Sequence, residues 1–293
     1  NHYHASNQIP QTIQLVPVDR ADKKASLRLF KERAVDLITT IDAARPEEVI
    51  EISQNSKGSI LHTTANIRTI VLVFTERGLK ELSEEQRLAI GAKIREAVVP
   101  TFKNLPGYET ASQYFPSFSY GALEEKTIAE ISKRETPKVS LDNLNLKLTT
   151  VRVGDVEVFK KLIKEKIPSM TVEEGANVPA FSKYEDPSQM PHMFIGGPDT
   201  GYHEDISLIS YMLVSGTFGM SQKERADWLA AYMAKPEKED RLKMLRAIHE
   251  SSLRKGVFVP LLACPYTAVA QNGWQIGLSQ LFANNPIWLI KKL

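Results

Sequence analysis

Residues 144–175 read LNLKLTTVRVGDVEVFKKLIKEKIPSMTVEEG, and this stretch decides the fold class. Its first ten residues predict a strand, GDVEVFKKLIKEKIP predicts an amphipathic helix, and SMTVEEG predicts a second strand. A strand, a helix and a strand at this spacing form a right-handed βαβ unit with parallel strands. The sequence therefore predicts an α/β protein.

The segments before this unit predict further strands and helices. A strand is favoured over Ile9 to Val18 and a helix over Ala21 to Arg33, and VDLI and TIVLVF (69–74) predict two more strands. The stretch from Asn104 to Gly121 has neither the helical nor the strand periodicity of apolar residues, so it predicts a long loop whose conformation depends on packing against the rest of the protein.

The most regular helical pattern begins at Ser83, in SEEQRLAIGAKIREAVVPTF. Ser83 and Gln86 are spaced as in a capping box, in which each side chain bonds the other residue's backbone N–H. Apolar residues then recur at helical spacing, so we expect Leu88, Ile94 and Val98 to be buried on one face.

The segments after the βαβ unit predict one strand, a mostly helical stretch and a tail of short strands. MPHMFIGG (190–197) predicts the strand, and the rest to Gly256 is helical, with Ser221 to Glu224 opening the helix that contains Trp228. From Val257 onward we expect short apolar strands alternating with turns.

Composition excludes several classes of function. The 37 basic and 35 acidic residues are spread along the chain and leave a net charge of +2, so nucleic acid is not an expected partner. No apolar run approaches the roughly 18 residues that span a bilayer. The single Cys264 has no partner for an internal disulfide and is expected to be a buried small hydrophobe.

Signatures of catalysis and of cofactor binding are missing from the sequence. It contains no GxSxG, no HExxH, no GxxxxGK[ST] and no GxGxxG behind a strand. His2, Tyr3 and His4 do not make a metal site, because a closed site needs a third and a fourth ligand. We therefore expect no enzymatic activity, no catalytic residue, no cofactor and no metal.

Gly78 and Pro265 are the candidate boundaries between lobes. We expect 1–78 to form part of a main lobe, 79–265 to form an inserted α/β lobe, and 266–293 to return to the main lobe. A lobe inserted between two halves of another domain creates a cleft with two hinge strands, which is a common way to enclose a small ligand.

Five segments resemble, in the same order, the patterns of family-5 extracytoplasmic solute-binding proteins, which are the oligopeptide, dipeptide and nickel binders of ABC importers. The segments are Asn1, Tyr3, Ile9 and Pro10 with TIQLVPV, KASLRLFKERAVDLI (24–38), SEEQRLAIGAKIREAVVPTFKNLPGYETASQYFP (83–116), HEDISLISYMLVSG (203–216) and EDRLKMLRAIHESSLRKGVFVPLL (239–262). Members of that family are considerably longer, so the resemblance implies a C-terminal piece of such a protein.

The resemblance implies a periplasmic-binding-protein-like fold of type II, with two lobes, a hinge, and mixed sheets flanked by helices. It implies a solute-binding component of an ABC importer, which captures a peptide or another small polar ligand between its lobes and delivers it to a membrane permease. We expect such a protein to be a monomer in the periplasm or otherwise outside the cytoplasm, associated with the membrane. The same fold is also found as the ligand-sensing domain of cytoplasmic transcriptional regulators, and this alternative stays open.

The loop GGPDTGYHED (196–205) departs from the resemblance at the positions that would hold a peptide. Peptide-binding members carry an aspartate that pairs with the ligand's α-amino group and a tryptophan three residues earlier, whereas Gly201 and Pro198 stand at these positions here. Loss of the carboxylate removes a charge-assisted hydrogen bond of about 1.5 to 3 kcal/mol. Tight binding of unmodified oligopeptides is therefore not expected.

Four residues are candidate ligand contacts, namely Asp199, Tyr202, His203 and Tyr114. Asp199 is the nearest replacement for the lost carboxylate, and the alternative is that it caps its own turn. Tyr202 and His203 either contact a polar ligand or face solvent. Tyr114 belongs to the aromatic loop before Gly121, where cleft-facing and core-packing roles are both open.

Overall fold

The computed structural model describes residues 12, 14, 16, 17, 22, 24–40, 51, 60–105, 107–142, 144–151, 156–175, 186–197, 220–276 and 290–292. The strands in this part of the chain are β1 (Leu37–Thr40), β2 (Ile60–Phe74), β3 (Glu109–Thr110), β4 (Lys147–Val151), β5 (Thr171–Glu174), β6 (Met193–Gly196), β7 (Phe258–Ala270), β8 (Trp274–Ile276) and β9 (Ile290–Lys292). The helices are α1 (Ala25–Lys31), α2 (Glu76–Glu81), α3 (Glu84–Phe102), α4 (Glu125–Ser132), α5 (Val156–Lys166), α6 (Gln222–Met233) and α7 (Lys238–Arg254), with a 3₁₀ turn at Pro187–Gln189.

A mixed sheet organises the molecule. Its strands lie in the order β1-β7-β2-β6-β4-β5, with β3 beside β7, and β8 pairs with β9 in a separate two-stranded sheet. The βαβ prediction is confirmed, because β4 runs parallel to β5 and α5 connects them. β4 is also parallel to β6, whereas β1, β2, β3, β6 and β7 join one another by antiparallel pairs. The mixed α/β class predicted from the sequence is thus confirmed.

The expectation of short strands alternating with turns from Val257 onward is wrong for β7, which runs for 13 residues, whereas β8 is short and follows a turn. Proline lacks the N–H that a strand ladder needs and is tolerated mainly at bulges and edges. Pro260 and Pro265 satisfy this condition, since the pairing of β7 with β2 changes register next to each of them. The strand therefore carries both prolines at its irregularities.

In the described part of the chain, a hydrophobic layer covers each face of the central part of the sheet. Because side chains alternate along a strand, Ile70 and Leu72 of β2 pack with residues of α3 and α5, whereas Val71 and Val73 pack with residues of α7. Phe102 of α3 stacks on Phe159 of α5, with ring centroids 5.1 Å apart. The two layers bury the centre of the sheet on both faces.

α3 confirms the helix predicted from Ser83. The Ser83 hydroxyl accepts from the Gln86 N–H and the Gln86 side chain accepts from the Ser83 N–H, which is the predicted capping box. Ile94 and Val98 are completely buried, and Leu88 is half-buried against Gly256. α6 begins with a second capping box, between Ser221 and Glu224.

Other sequence expectations fall partly outside the described residues. In the segment from Ile9 to Val18 only residues 12, 14, 16 and 17 are described, and none of these four lies in a strand. Gly78 lies within α2, and Pro265 lies at a change of register between β7 and β2. The division into lobes at these two residues stays a prediction.

α2 is fixed against the chain that leads into β6. Thr75 caps the helix by accepting from the Gly78 N–H, and its hydroxyl donates to the Pro191 carbonyl oxygen at 2.6 Å. Arg77 donates to the Met190 carbonyl oxygen at 3.1 Å. Gly78 lies so close to this segment that a methyl group on it would stand 2.0 Å from the His192 carbonyl oxygen.

We expect Gly78→Ala to lower the free energy of unfolding. Alanine gains up to about 1 kcal/mol of helix propensity, but a methyl group forced against backbone costs about 1 to 3 kcal/mol or more, so the clash should dominate. Urea unfolding should show the loss, with Lys80→Ala, an exposed change in the same helix, as the control. A Gly78→Ala midpoint equal to or above that of the wild type would contradict the close packing.

Candidate functional site

The carboxyl ends of three parallel strands meet at one edge of the sheet. β4 ends at Val151, β5 at Glu174 and β6 at Gly196, and we call this border the carboxyl edge. In open α/β sheets, ligands bind in the crevice outside the carboxyl ends of the strands. β2 and β7 extend beyond this edge, because Val71 is paired with both Gly196 and Pro260.

Three of the four predicted contacts follow β6 in the sequence and lie outside the described residues. Gly197 is the last described residue before them, and Asp199, Tyr202 and His203 are not described. Their roles in binding stay predictions.

Arg68 is a charged residue at the carboxyl edge that the sequence analysis missed. It lies on β2 opposite Cys264 of β7, three residues before Val71, and is only 6% exposed. Its aliphatic stem lies against Gly197, since a methyl group on that glycine would stand 3.2 Å from Cδ of Arg68. A charged residue next to the apolar run TIVLVF was the available signal, but nothing in the sequence indicates that it is buried.

A phenol and a thiol lie beside Arg68. The hydroxyl of Tyr108 forms a hydrogen bond with the side chain of Cys264. Burial raises the pKa of the Cys264 thiol, and the positive charge of Arg68 and the bond to Tyr108 act in the opposite direction. The thiol therefore stays protonated, and Cys264 is the buried small side chain that the sequence predicted.

Polar groups also occur at the end of β4. Thr149 is 8% exposed and Thr150 is 2% exposed, and the Thr150 carbonyl oxygen accepts from the Gly175 N–H at 2.9 Å. Within the described part of the chain, Oγ1 of Thr150 has no hydrogen-bond partner. Buried hydroxyls usually have a partner, so this atom marks a place where the edge can accept a further polar group.

Arg95 of α3 fixes the segment that brings Tyr108 to the sheet. It donates to the carbonyl oxygens of Ala111 at 2.8 Å and of Pro260 at 3.3 Å. Burial lowers the pKa of Arg95. Between Tyr108 and Ala111, the short strand β3 pairs with β7. The loop predicted over 104–121 is therefore attached to the sheet at this point.

Tyr114, the fourth predicted contact, is placed in the core. It is 0% exposed and packs edge-on against Phe115 and Phe258, with centroid distances of 5.5 and 5.2 Å. Core packing was one of the two roles left open by the sequence, and the geometry supports that role.

His249 of α7 holds the backbone around Tyr114. Its Nε2 accepts from the Tyr114 N–H at 3.1 Å, so Nδ1 carries the proton and donates to the Gly121 carbonyl oxygen at 3.0 Å. This histidine is completely buried, and burial lowers its pKa to about 4. The neutral imidazole of His249 thus links α7 to the backbone at Tyr114 and at Gly121.

Comparison with known proteins relates this architecture to solved binding proteins. NikA from Staphylococcus aureus, in complex with Ni(L-His)2, superposes with a TM-score of 0.63 at 14% identity over 94% of this chain. The ABC transporter substrate-binding protein CtaP from Listeria monocytogenes gives 0.64 at 12% identity over 92%. The oligopeptide-binding protein AppA from Bacillus subtilis, in complex with a nonapeptide, gives 0.62 at 11% identity over 93%.

The chain has the fold of family-5 ABC solute-binding proteins. It spans 61%, 58% and 59% of the lengths of these three structures, or about three-fifths. No protein-family model matches the sequence, and no curated protein matches it. At these identities the likeness establishes the fold of this chain and not its ligand.

Two further findings concern the described part of the chain. None of its helices is long and apolar enough to cross a membrane. The described residues also include no group of three or more His, Cys, Asp or Glu side chains that could hold a metal ion.

Because His249 is buried and neutral, we expect the free energy of unfolding to decrease on acidification already at pH values above those at which carboxylates titrate. Its pKa is about 4 when folded and about 6.5 when unfolded, so the unfolded chain takes up the proton first as the pH falls. The contribution of neutral His249 to the free energy of unfolding is fully present above pH 6.5, and about 3 kcal/mol of it is lost by pH 4. Urea unfolding between pH 7.5 and 4.5 measures this slope.

His249→Gln is the matched variant, because an amide can accept from Tyr114 and donate to Gly121 without titrating. We expect it to be less stable than the wild type at pH 7.5 and to lose less stability on acidification. An equal pH slope in both proteins would show that His249 is not held neutral.

Proposed function

We propose that the chain is part of the solute-binding component of an ABC importer, which captures a peptide or another small polar ligand in a cleft between lobes. The observation that carries the proposal is the fold, shared over more than nine-tenths of the chain with binding proteins such as CtaP and AppA. The protein would act outside the cytoplasm and deliver its ligand to a membrane permease as a monomer, without chemical conversion.

The carboxyl edge supports a binding site at this position in the fold. Polar side chains of β2 and β4 are buried there, and the predicted contacts Asp199, Tyr202 and His203 follow directly after the described end of β6. Small-ligand sites typically have a small number of polar groups in a largely apolar lining, and these polar groups determine the orientation of the ligand and the specificity of the site. Closure of two lobes around such an edge would remove the ligand from water.

The ligand is not expected to be an unmodified oligopeptide bound tightly. A free α-amino group loses its hydration on entering a cleft, and Gly201 and Pro198 provide no opposite charge at the positions where the resemblance expects a carboxylate and a tryptophan. Calorimetric titration of the full-length protein with di-, tri- and pentapeptides should therefore give dissociation constants weaker than about 1 μM.

Asp199 is the nearest substitute for the missing carboxylate, so any peptide binding should depend on it. Asp199→Ala should weaken that binding at least about tenfold, as expected for a charge-assisted hydrogen bond. Asp227→Ala, an exposed change on α6, is the control and should have no effect. Micromolar or tighter binding that is unchanged by Asp199→Ala would overturn both the weak-peptide expectation and the role of this aspartate.

A further inference from the structure

The helix α6 presents an apolar stripe to solvent. Leu229 and Met233 lie one turn apart on this helix and are 37% and 61% exposed. Ala226 and Ala230 are exposed as well. The four residues recur at spacings of three and four, so they share one face of the helix, which we call the α6 stripe. Neighbouring exposed apolar side chains mark contact surfaces, whereas single ones are common on any protein.

Another side of α6 attaches the helix to the rest of the molecule. Trp228 and Tyr232 stack on each other with ring centroids 5.1 Å apart. Both rings join the hydrophobic layer that contains residues of α7 and β2. Because these two rings hold α6 in place, its attachment does not use the α6 stripe, whose side chains remain exposed.

The side chains of the α6 stripe alternate in size in an order that fits a second copy of the same helix. Along the chain they run small, large, small, large, in Ala226, Leu229, Ala230 and Met233. Two copies of α6 that lie antiparallel about a two-fold axis between residues 229 and 230 bring each large side chain opposite a small one. Met233 then faces Ala226 of the partner subunit, and Leu229 faces Ala230 of the partner subunit. Helices pack closely when large and small residues alternate across their contact.

Charges at the two ends of the α6 stripe match in the same alignment. Lys223 lies one turn before Ala226, Glu237 lies four residues after Met233, and both charged side chains are exposed. The two-fold axis places Lys223 opposite the turn that follows α6 in the second copy, beside Glu237 of the partner subunit. Glu237 precedes α7 and makes no side-chain capping bond to that helix. Opposite charges that face each other across a contact favour its correct register.

We propose that the α6 stripe is a self-association surface, on which a second copy of this chain docks its own α6 in antiparallel orientation. The contact is isologous, because the same surface serves both copies. A pair of 12-residue helices gives an interface at the low end of the size range, so the association is weak and reversible. The inference goes beyond the proposed function, in which the monomer carries the ligand, and it is independent of the ligand.

Sedimentation equilibrium of the full chain measures the association. We expect the apparent mass to rise with protein concentration towards that of a dimer. Met233→Glu should weaken the dimer at least about tenfold, because it places an unpaired charge in the contact. Ala231→Glu, an exposed change on the same helix outside the α6 stripe, is the matched control and should leave the dimer unchanged. Circular dichroism of each variant checks that it is folded.

Ala226→Met separates the size-matched contact from general apolar adhesion. In the antiparallel pair the added side chain meets Met233 of the partner subunit, so it should crowd the contact and weaken the dimer. A contact without size matching would instead be strengthened by the additional apolar surface.

Cysteine substitutions test the orientation of the two helices. In the double variant Ala226→Cys/Met233→Cys, the two thiols of one chain are about 10 Å apart along the helix, too far for a disulfide within it. The antiparallel pair brings each thiol opposite the other one of the second copy, so mild oxidation should give a covalent dimer. Ala226→Cys alone is the control and should stay monomeric under the same conditions, since the native Cys264 is buried.

Three results would overturn the inference. The first is a monomer at every concentration up to the solubility limit, and the second is a dimer that folded Met233→Glu leaves as tight as the wild type. The third is a covalent dimer from Ala226→Cys alone, because it would require parallel helices and remove the size matching of the α6 stripe. None of these results would affect the proposed solute binding, which is measured separately by titration with ligand.

Discussion

The antiparallel pairing of β2 with β7 is the constraint on which the rest of the structure depends. The register runs from Ile60 opposite Ala270 to Val73 opposite Phe258, which joins residues 185 to 210 positions apart in the sequence. β6, β4 and β5 attach to the β2 side of this pair, and β1 attaches to the β7 side. Both hydrophobic layers are built on its faces, so loss of the pairing would remove the support of the helices that pack in these two layers.

The same pairing determines the shape of the carboxyl edge. Where β2 and β7 pass beyond the end of β6, their register shifts between Asn66 and Arg68, opposite Pro265 and Cys264. Such irregularities increase local twist and redirect side chains. Gly107 lies directly against Pro265, since a methyl group on Gly107 would be 2.8 Å from Cγ of Pro265. The φ of Gly107 is +78°, a backbone conformation that favours glycine. The segment carrying Tyr108 therefore approaches the sheet where the ladder is irregular, next to Arg68.

Local patterns were sufficient to predict the parts of the fold that depend on neighbouring residues. The βαβ unit over 144–175 and the helix capped by Ser83 were predicted correctly, because periodicity and capping depend on residues that are close together in the sequence. The length of β7 was not predicted, because its two prolines are tolerated only through the irregular pairing with the distant partner β2. Burial of Arg68 and the core position of Tyr114 likewise arise from contacts between remote segments.

Native mass spectrometry of the full-length protein purified from its own host is the most direct test of a solute-binding role. If the protein captures a small molecule and closes around it, we expect a population heavier than the chain by the mass of one ligand, which is released on denaturation. A single species at the mass of the chain alone, in protein that is folded by circular dichroism and purified without a dialysis step, would contradict the solute-binding account.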